Sequence, residues 1–299
     1  MNGLNLLQQY IKEQELTGVI LLSPINLHYF AGFTGTTGFA IITEDKAFMI
    51  TDFRYTEQAT KQCEGYTVIQ YETTVMDTLV DIFNEHHIHE GLFAIEGKQM
   101  PVDTYESLCD TLDENFDFTS VNFAKLRAVK REDELELLRI AANIGDESFA
   151  ALLPQLKVGM TENEVRIILE TEMLKRGSEE PSFATIIASG SRSSMPHGVA
   201  SDKVIEAGDF VTIDFGSVYK GYHSDMTRTI VMGPASDLQK KLYSIVLEAQ
   251  KRGVAAVRAG ITGKELDAIC RDYIKEHGYT KEFNHGTGHG LGLEIHEEQ

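Results

Sequence analysis

Cysteine is scarce. Three residues, Cys63, Cys109 and Cys270, stand far apart without CxxC spacing, which argues against a disulfide framework or a thiolate zinc site and for thiols kept in a reducing compartment. Proline is scarce too. Six residues, with 42% hydrophobic and 24% charged side chains, describe a folded chain and exclude a disordered or low-complexity one. Basic residues are in deficit, with 27 Lys and Arg against 46 Asp and Glu and a formal charge of −19. Most of such a surface repels phosphate backbones and anionic membranes, so no nucleic-acid partner is expected, and the acidic excess reads as a well-solvated surface. No apolar run reaches the length of a membrane span, and the start, "MNGLNLLQQYIKEQEL", lacks a basic region followed by an apolar core. No membrane partner and a cytoplasmic location are the expectations.

At 299 residues the chain is longer than a single core usually supports, so two domains are expected. Residues 4 to 15 read as a helix; "TGVILLS" (17 to 23), "FAIITE" (39 to 44), "KAFMIT" (46 to 51) and "GLFAIE" read as strands, and segments near 74 to 86 and 102 to 114 as helices. This is α/β alternation. From residue 126 the pattern changes: Leu135, Leu137, Leu138, Ile140 and Ala141 recur at helical spacing beside a charged face. The expected domains are therefore 1–125 and 126–299.

The second domain contains an internal repeat. "LKVGMTENEVRIILETEMLKRG" (156 to 177) aligns without a gap to "VRAGITGKELDAICRDYIKEHG" (257 to 278) at an offset of 101 residues, with Gly159/Gly260, Thr161/Thr262, Glu164/Glu265, Ile168/Ile269 and Gly177/Gly278 identical. In each copy Thr can cap a helix that ends at the following Gly. After the first copy, "DFVTIDFG" (209 to 216) and "HSDMTRTIVMG" (223 to 233), joined by "SVYKGY", read as a hairpin. The offset puts the second copy's hairpin at about 310 to 332, past Gln299, so the second half is expected to continue beyond the residues given.

On the first strand Phe210, Thr212 and Asp214 share a face; on the second, Asp225, Thr227 and Thr229 do. A turn centred between Tyr219 and Lys220 would set Asp214 directly opposite Asp225. Facing carboxylates are destabilising unless a cation sits between them, and two of them can bridge divalent ions; two solvated aspartates at a hairpin tip are the alternative. The segment "FNHGTGHGLGLEIHEEQ" places His285, His289 and His296 among four glycines that disfavour a long helix and let backbone approach a site closely. Neutral imidazole beside carboxylate suits Mn, Co, Fe or Zn.

"VTIDFGSVYKGYHSDMTRTIVMG" followed by "HGTGHGLGLEIHE" resembles the metal-dependent prolidase and Xaa-Pro aminopeptidase family, and "INLHYFAGFTGTTGFAIIT" with "TDFRY" resembles its creatinase-type N-terminal domain. The resemblance implies an α/β (α+β) chain in which a creatinase-like domain precedes a pseudo-twofold pita-bread catalytic domain, incomplete at its C-terminus. It implies a homodimer with two divalent ions, Mn2+ first and Co2+ or Zn2+ as substitutes. By motif, Asp214 corresponds to the first metal-binding aspartate, Asp225 to the bridging aspartate and His289 to the histidine ligand. His197 in "SMPHG", His285 and His296 correspond to histidines around the substrate, and the offset sets His197 and His296 across a pseudo-twofold axis. Two further glutamate ligands are implied near 315 and 326, and Glu294, Glu297 and Glu298 are not their counterparts. The implied activity is hydrolysis of the bond between an N-terminal residue and proline, with a proline-containing peptide as substrate. Metal would lower the pKa of a shared water and polarise the carbonyl. A non-catalytic pita-bread binding protein and a creatinase-like hydrolase are the alternatives. "HHIH" (86 to 89) reads as a solvated loop, "FTGTTG" as a turn, and Arg228 as a support for Asp225 or a surface ion pair.

Overall fold

The computed structural model describes residues 2–298 and divides the chain into two compact units, one ending at Val129 and one starting at Lys130. In the first, α1 (Gly3–Glu13) is capped by the Asn2 side chain and buries Leu4, Leu7 and Ile11 at helical spacing. There follow β1 (Gly18–Leu21), α2 (Pro24–Ala31), β2 (Phe39–Ile42), β3 (Ala47–Thr51), α3 (Thr56–Gln62), β4 (Thr67–Gln70), α4 (Val75–Glu85), β5 (Gly91–Ile95), α5 (Val102–Thr111), β6 (Phe116–Ser120) and α6 (Ala124–Arg127). They build a six-stranded mixed sheet of order β4-β3-β2-β1-β5-β6. Every residue of β1, β2 and β3 is buried. Strands covered on both faces read as continuous apolar runs, which is why VIL, FAII and AFMI were recognisable as strands. Ile20, Ile41, Ile50 and Phe93 pack with Leu79, Ile82 and Phe83 of α4 in the core.

In the second unit α7 (Glu132–Leu152) and α8 (Glu162–Lys175) precede β7 (Ile186–Ser189), β8 (Phe210–Phe215), β9 (Val218–Tyr219), β10 (Tyr222–His223), β11 (Met226–Val231), α9 (Asp237–Ala256) and α10 (Gly263–Glu276). The repeat is visible in the helices: α8 and α10 begin and end 101 residues apart, and each starts on a capping box, Thr161 with Glu164 and Thr262 with Glu265. Each is closed by a glycine at positive φ, Gly177 and Gly278. The sheet, of order β11-β8-β7, is antiparallel throughout. Val211, Ile213 and Phe215 of β8 are buried against Ile144, Leu152, Val165 and Leu169, which leaves Phe210, Thr212 and Asp214 on the other face. Among the described residues no helix is long and apolar enough to cross a membrane.

The hairpin register differs from the sequence expectation. Asp214 stands opposite Thr227, not Asp225, because Lys220 and Gly221 both adopt positive φ, +49° and +79°, and so form the two-residue turn one position later. The two aspartates are diagonal neighbours on one face. The same register carries Gly216 across from Asp225, where a Cβ would meet the Ser224 carbonyl oxygen at 1.8 Å. Lysine is poorly suited to the left-handed region. Lys220→Asn, which gives the Asn-Gly pair favoured in such turns, is expected to raise stability by about 1 kcal/mol in urea denaturation; a loss of stability would show that the turn does not set the register.

Candidate metal centre

Asp214 is half-buried on β8, and Thr227 on β11 donates its hydroxyl to Asp214 Oδ1 at 2.7 Å. Burial raises the Asp214 carboxyl above its ordinary range; the Thr227 hydroxyl opposes this, the Asp225 charge adds to it, and His197 and His289 oppose it. Asp225 Oδ2 faces His289 Nε2 at 3.2 Å. His289 Nδ1 lies 3.0 Å from the Gly290 carbonyl oxygen, which only accepts, so Nδ1 carries a proton, and Nε2 faces a carboxylate either through a second proton or, in the neutral ring, through its lone pair. Two acceptors in contact require a proton or a metal cation between them. A second carboxylate alongside strengthens that requirement.

The segment that carries His289 is fixed from α10. Arg271 forms a two-point ion pair with Asp267 and donates to the carbonyls of Phe283 (2.6 Å) and His285 (2.8 Å). Asp267 accepts from the Thr287 amide at 3.0 Å and hydroxyl at 2.8 Å. Arg271 first, then Thr287, hold the Asp267 carboxyl down to about 2 against the cost of its burial. Farther on, Gly290 bridges Glu297, the His223 amide donates to the Gly292 carbonyl at 2.9 Å, and Glu297 pairs with Lys130 at 2.8 Å in near-complete burial. A Cβ on Gly290 would meet the Glu297 carbonyl oxygen at 2.7 Å. The glycine permits that close approach.

Asp214, Asp225, His289 and His296 therefore gather on one side. The His296 ring lies against His289, centroids 4.2 Å apart. His197, exposed in the loop after β7, is close enough for its charge to act on Asp214. His285 is turned elsewhere: its Nδ1 donates to the Gly286 carbonyl at 2.8 Å and its ring packs edge-on to Phe283. Among the described residues no three His, Cys, Asp or Glu side chains converge tightly enough to enclose an ion; the three expected ligands are adjacent. Arg228 pairs with Asp146 at 2.9 Å in an exposed ion pair. His86 of the "HHIH" stretch accepts from Lys46 and packs on Phe48. The strand period puts Thr227 on the Asp225 face but not its bond to Asp214, and Asp267 and Arg271 escape the sequence reading. The i,i+4 spacing of Asp267 and Arg271 on a capped helix is the signal that could have found the latter two.

Residues 136–299 match the pattern described as metallopeptidase family M24, and residues 4–129 match the creatinase/prolidase N-terminal domain. The chain belongs to family M24. A relative described as an uncharacterized peptidase of Bacillus subtilis is 44% identical over 283 residues, 94% of this chain and 80% of the relative. The solved structure of an Xaa-Pro dipeptidase from Bacillus anthracis matches with a TM-score of 0.94 at 45% identity, covering 99% of this chain and 83% of that one. An X-Pro aminopeptidase from Thermotoga maritima matches with a TM-score of 0.90 at 36% identity, covering 95% and 82%. The creatinase-like α/β domain followed by a pita-bread domain is thus the architecture of this M24 chain.

Family M24 metallopeptidases work with divalent metal, and the donor set fits one: carboxylate oxygens flank an imidazole lone pair. The folded chain holds the Asp214 proton more tightly than the unfolded chain does. Metal-free protein therefore loses stability as pH rises from the ordinary carboxylate range through the raised value. Asp214→Asn removes that loss and keeps an acceptor for Thr227. In chelator at pH 7 the variant is expected to melt above wild type, while Mn2+ raises the melting temperature of wild type and barely moves that of the variant. A variant that melts lower in chelator, or gains as much from Mn2+, contradicts this reading of Asp214.

Proposed function

We propose that the protein is a metal-dependent peptidase that hydrolyses the bond between an N-terminal residue and proline, with Asp214, Asp225 and His289 as the metal ligands this chain supplies. The observation that carries the proposal is the contact of His289 Nε2 with Asp225 beside a second, half-buried carboxylate, in a chain whose similar proteins include an Xaa-Pro dipeptidase and an X-Pro aminopeptidase. Asp225 would hold metal together with Asp214 and His289 in this reading. Bound divalent ions supply an acidified water and polarisation of the scissile carbonyl.

The chain's own groups do the rest. Asp214 is oriented by the Thr227 hydroxyl, and the Nδ1–H of His289, held on the Gly290 carbonyl, keeps Nε2 presented to the ligand side. His197 and His296, from different segments, supply hydrogen bonds to charge developing on the carbonyl oxygen, and His285 is assigned to the substrate's periphery. A bond to proline has no amide N–H and a fixed ring torsion, so recognition rests on shape and on the free N-terminus. The resident ion in this reading is manganese, which two carboxylates and an imidazole suit as they also suit Co2+ and Zn2+. A homodimer in the cytoplasm completes the proposal, and the free thiols Cys63, Cys109 and Cys270 fit a reducing compartment.

The test is cleavage of an Xaa-Pro dipeptide and of a longer X-Pro peptide by the full native protein. Activity is expected to rise with Mn2+, to vanish in chelator and to fall at least about 100-fold in Asp225→Ala. Undiminished cleavage by that variant in chelator would refute the mechanism.

A further inference from the structure

Glu162, the first residue of α8, is fully buried and lies outside the ligand set. Its Oε1 accepts from the Ser189 amide at 2.8 Å and the Ser189 hydroxyl at 2.9 Å. Its Oε2 accepts from the Ser201 amide at 3.1 Å and the Ser201 hydroxyl at 2.6 Å. Arg192 Nε reaches both oxygens, at 3.3 and 3.1 Å. Ser189 and Ser201 are the two ends of the loop that carries His197. One carboxylate closes that loop at its base, and Arg192 crosses it by donating to the Val199 carbonyl at 2.7 Å. The outgoing end is further tied to α8, where the Glu162 amide donates to the Lys203 carbonyl and the Asn163 amide to the Ser201 carbonyl.

Burial works against the Glu162 charge, but the Ser201 hydroxyl, the Ser189 amide and hydroxyl, and Arg192 outweigh it, and the carboxyl is held below its ordinary range. An amide could not take its place: each oxygen faces a backbone N–H, so whichever way glutamine turned, its NH2 would meet a donor. The repeat puts Gly263 at the corresponding position of α10, so this clamp is peculiar to the first half of the domain and is not a helix cap shared by both copies.

We propose that Glu162 is a positioning residue for His197: by clamping Ser189 and Ser201 with one buried charge it fixes the loop and holds the imidazole at a set distance from Asp214. What His197 then does to substrate rests on the peptidase reading; the holding of the loop does not.

The experiment compares wild-type native protein with Glu162→Gln and with the milder Ser201→Ala, which keeps the backbone donor and serves if the first fails to fold. Amide hydrogen exchange in 190–201 is expected to quicken roughly 10-fold or more in both, with α8 and β8 unchanged. Mn2+ affinity is expected to stay within about threefold of wild type, and the paramagnetic broadening of the His197 ring resonance by bound Mn2+ to weaken. In X-Pro dipeptide cleavage, kcat falls about 10-fold, and Glu162→Gln has no further effect in a His197→Ala background. Unchanged exchange in the loop, unchanged broadening, or effects that multiply in the double variant would each overturn the proposal. A wild type that neither binds Mn2+ nor cleaves would refute the peptidase reading alone, and the exchange measurement would still decide on Glu162.

Discussion

Two carboxylates side by side on one face of a two-stranded ladder repel each other, and much of the second unit is arranged around holding them there. Asp214 and Asp225 are diagonal neighbours because the turn falls at Lys220–Gly221. Thr227 takes the position opposite Asp214 and binds one of its oxygens. Gly216 lies across from Asp225, where the chain passes too close to Ser224 for any side chain. The two strands place no positive charge between them, and in its neutral form His289 presents Nε2 to Asp225 as a third acceptor in the same space. An arrangement that disfavours its own protein-only state is what a divalent-ion site requires.

Rigidity around that site comes from buried or half-buried carboxylates, each satisfied by several donors. Asp267 with Arg271 secures the turn before His289, Glu297 with Lys130 secures the strand-like segment after it, and Glu162 closes the loop of His197. A buried carboxylate that accepts from backbone amides fixes main chain from which the candidate ligands project, at a desolvation cost offset only when every lone pair is used. The same device recurs in the first unit. Glu96, fully buried, accepts from the amides of Leu22 and Ser23 and from the side chains of Ser23 and Asn26, and so fixes the start of α2.

Much of this was legible in the sequence where a local rule applies. Alternation in "DFVTIDF" put Asp214 on the face opposite Val211 and Ile213, and the repeated Thr-x-x-Glu boxes marked the starts of α8 and α10. Other features were not. In α2, Asn26, Leu27, Tyr29, Phe30 and Ala31 are all buried, so the helix shows no one-sided stripe; in α9, Leu238, Val246 and Val254 are exposed and the buried line is only Ile245, Ala249 and Gly253. The register of the hairpin turned on a lysine accepting positive φ, which composition does not favour. Buried acids such as Glu162 read as ordinary surface residues in sequence because their partners lie tens of residues away. The family resemblance named candidate ligands, but the side chains that hold them emerged only from the fold.

The most direct test of the central claim is a crystal structure with Mn2+, located by its anomalous scattering. The account predicts a peak within coordination distance of Asp214, Asp225 and His289 Nε2, with the direct Asp225–His289 contact replaced by bonds to the ion. Saturating Mn2+ that leaves that contact intact and gives no peak between the two side chains would contradict it.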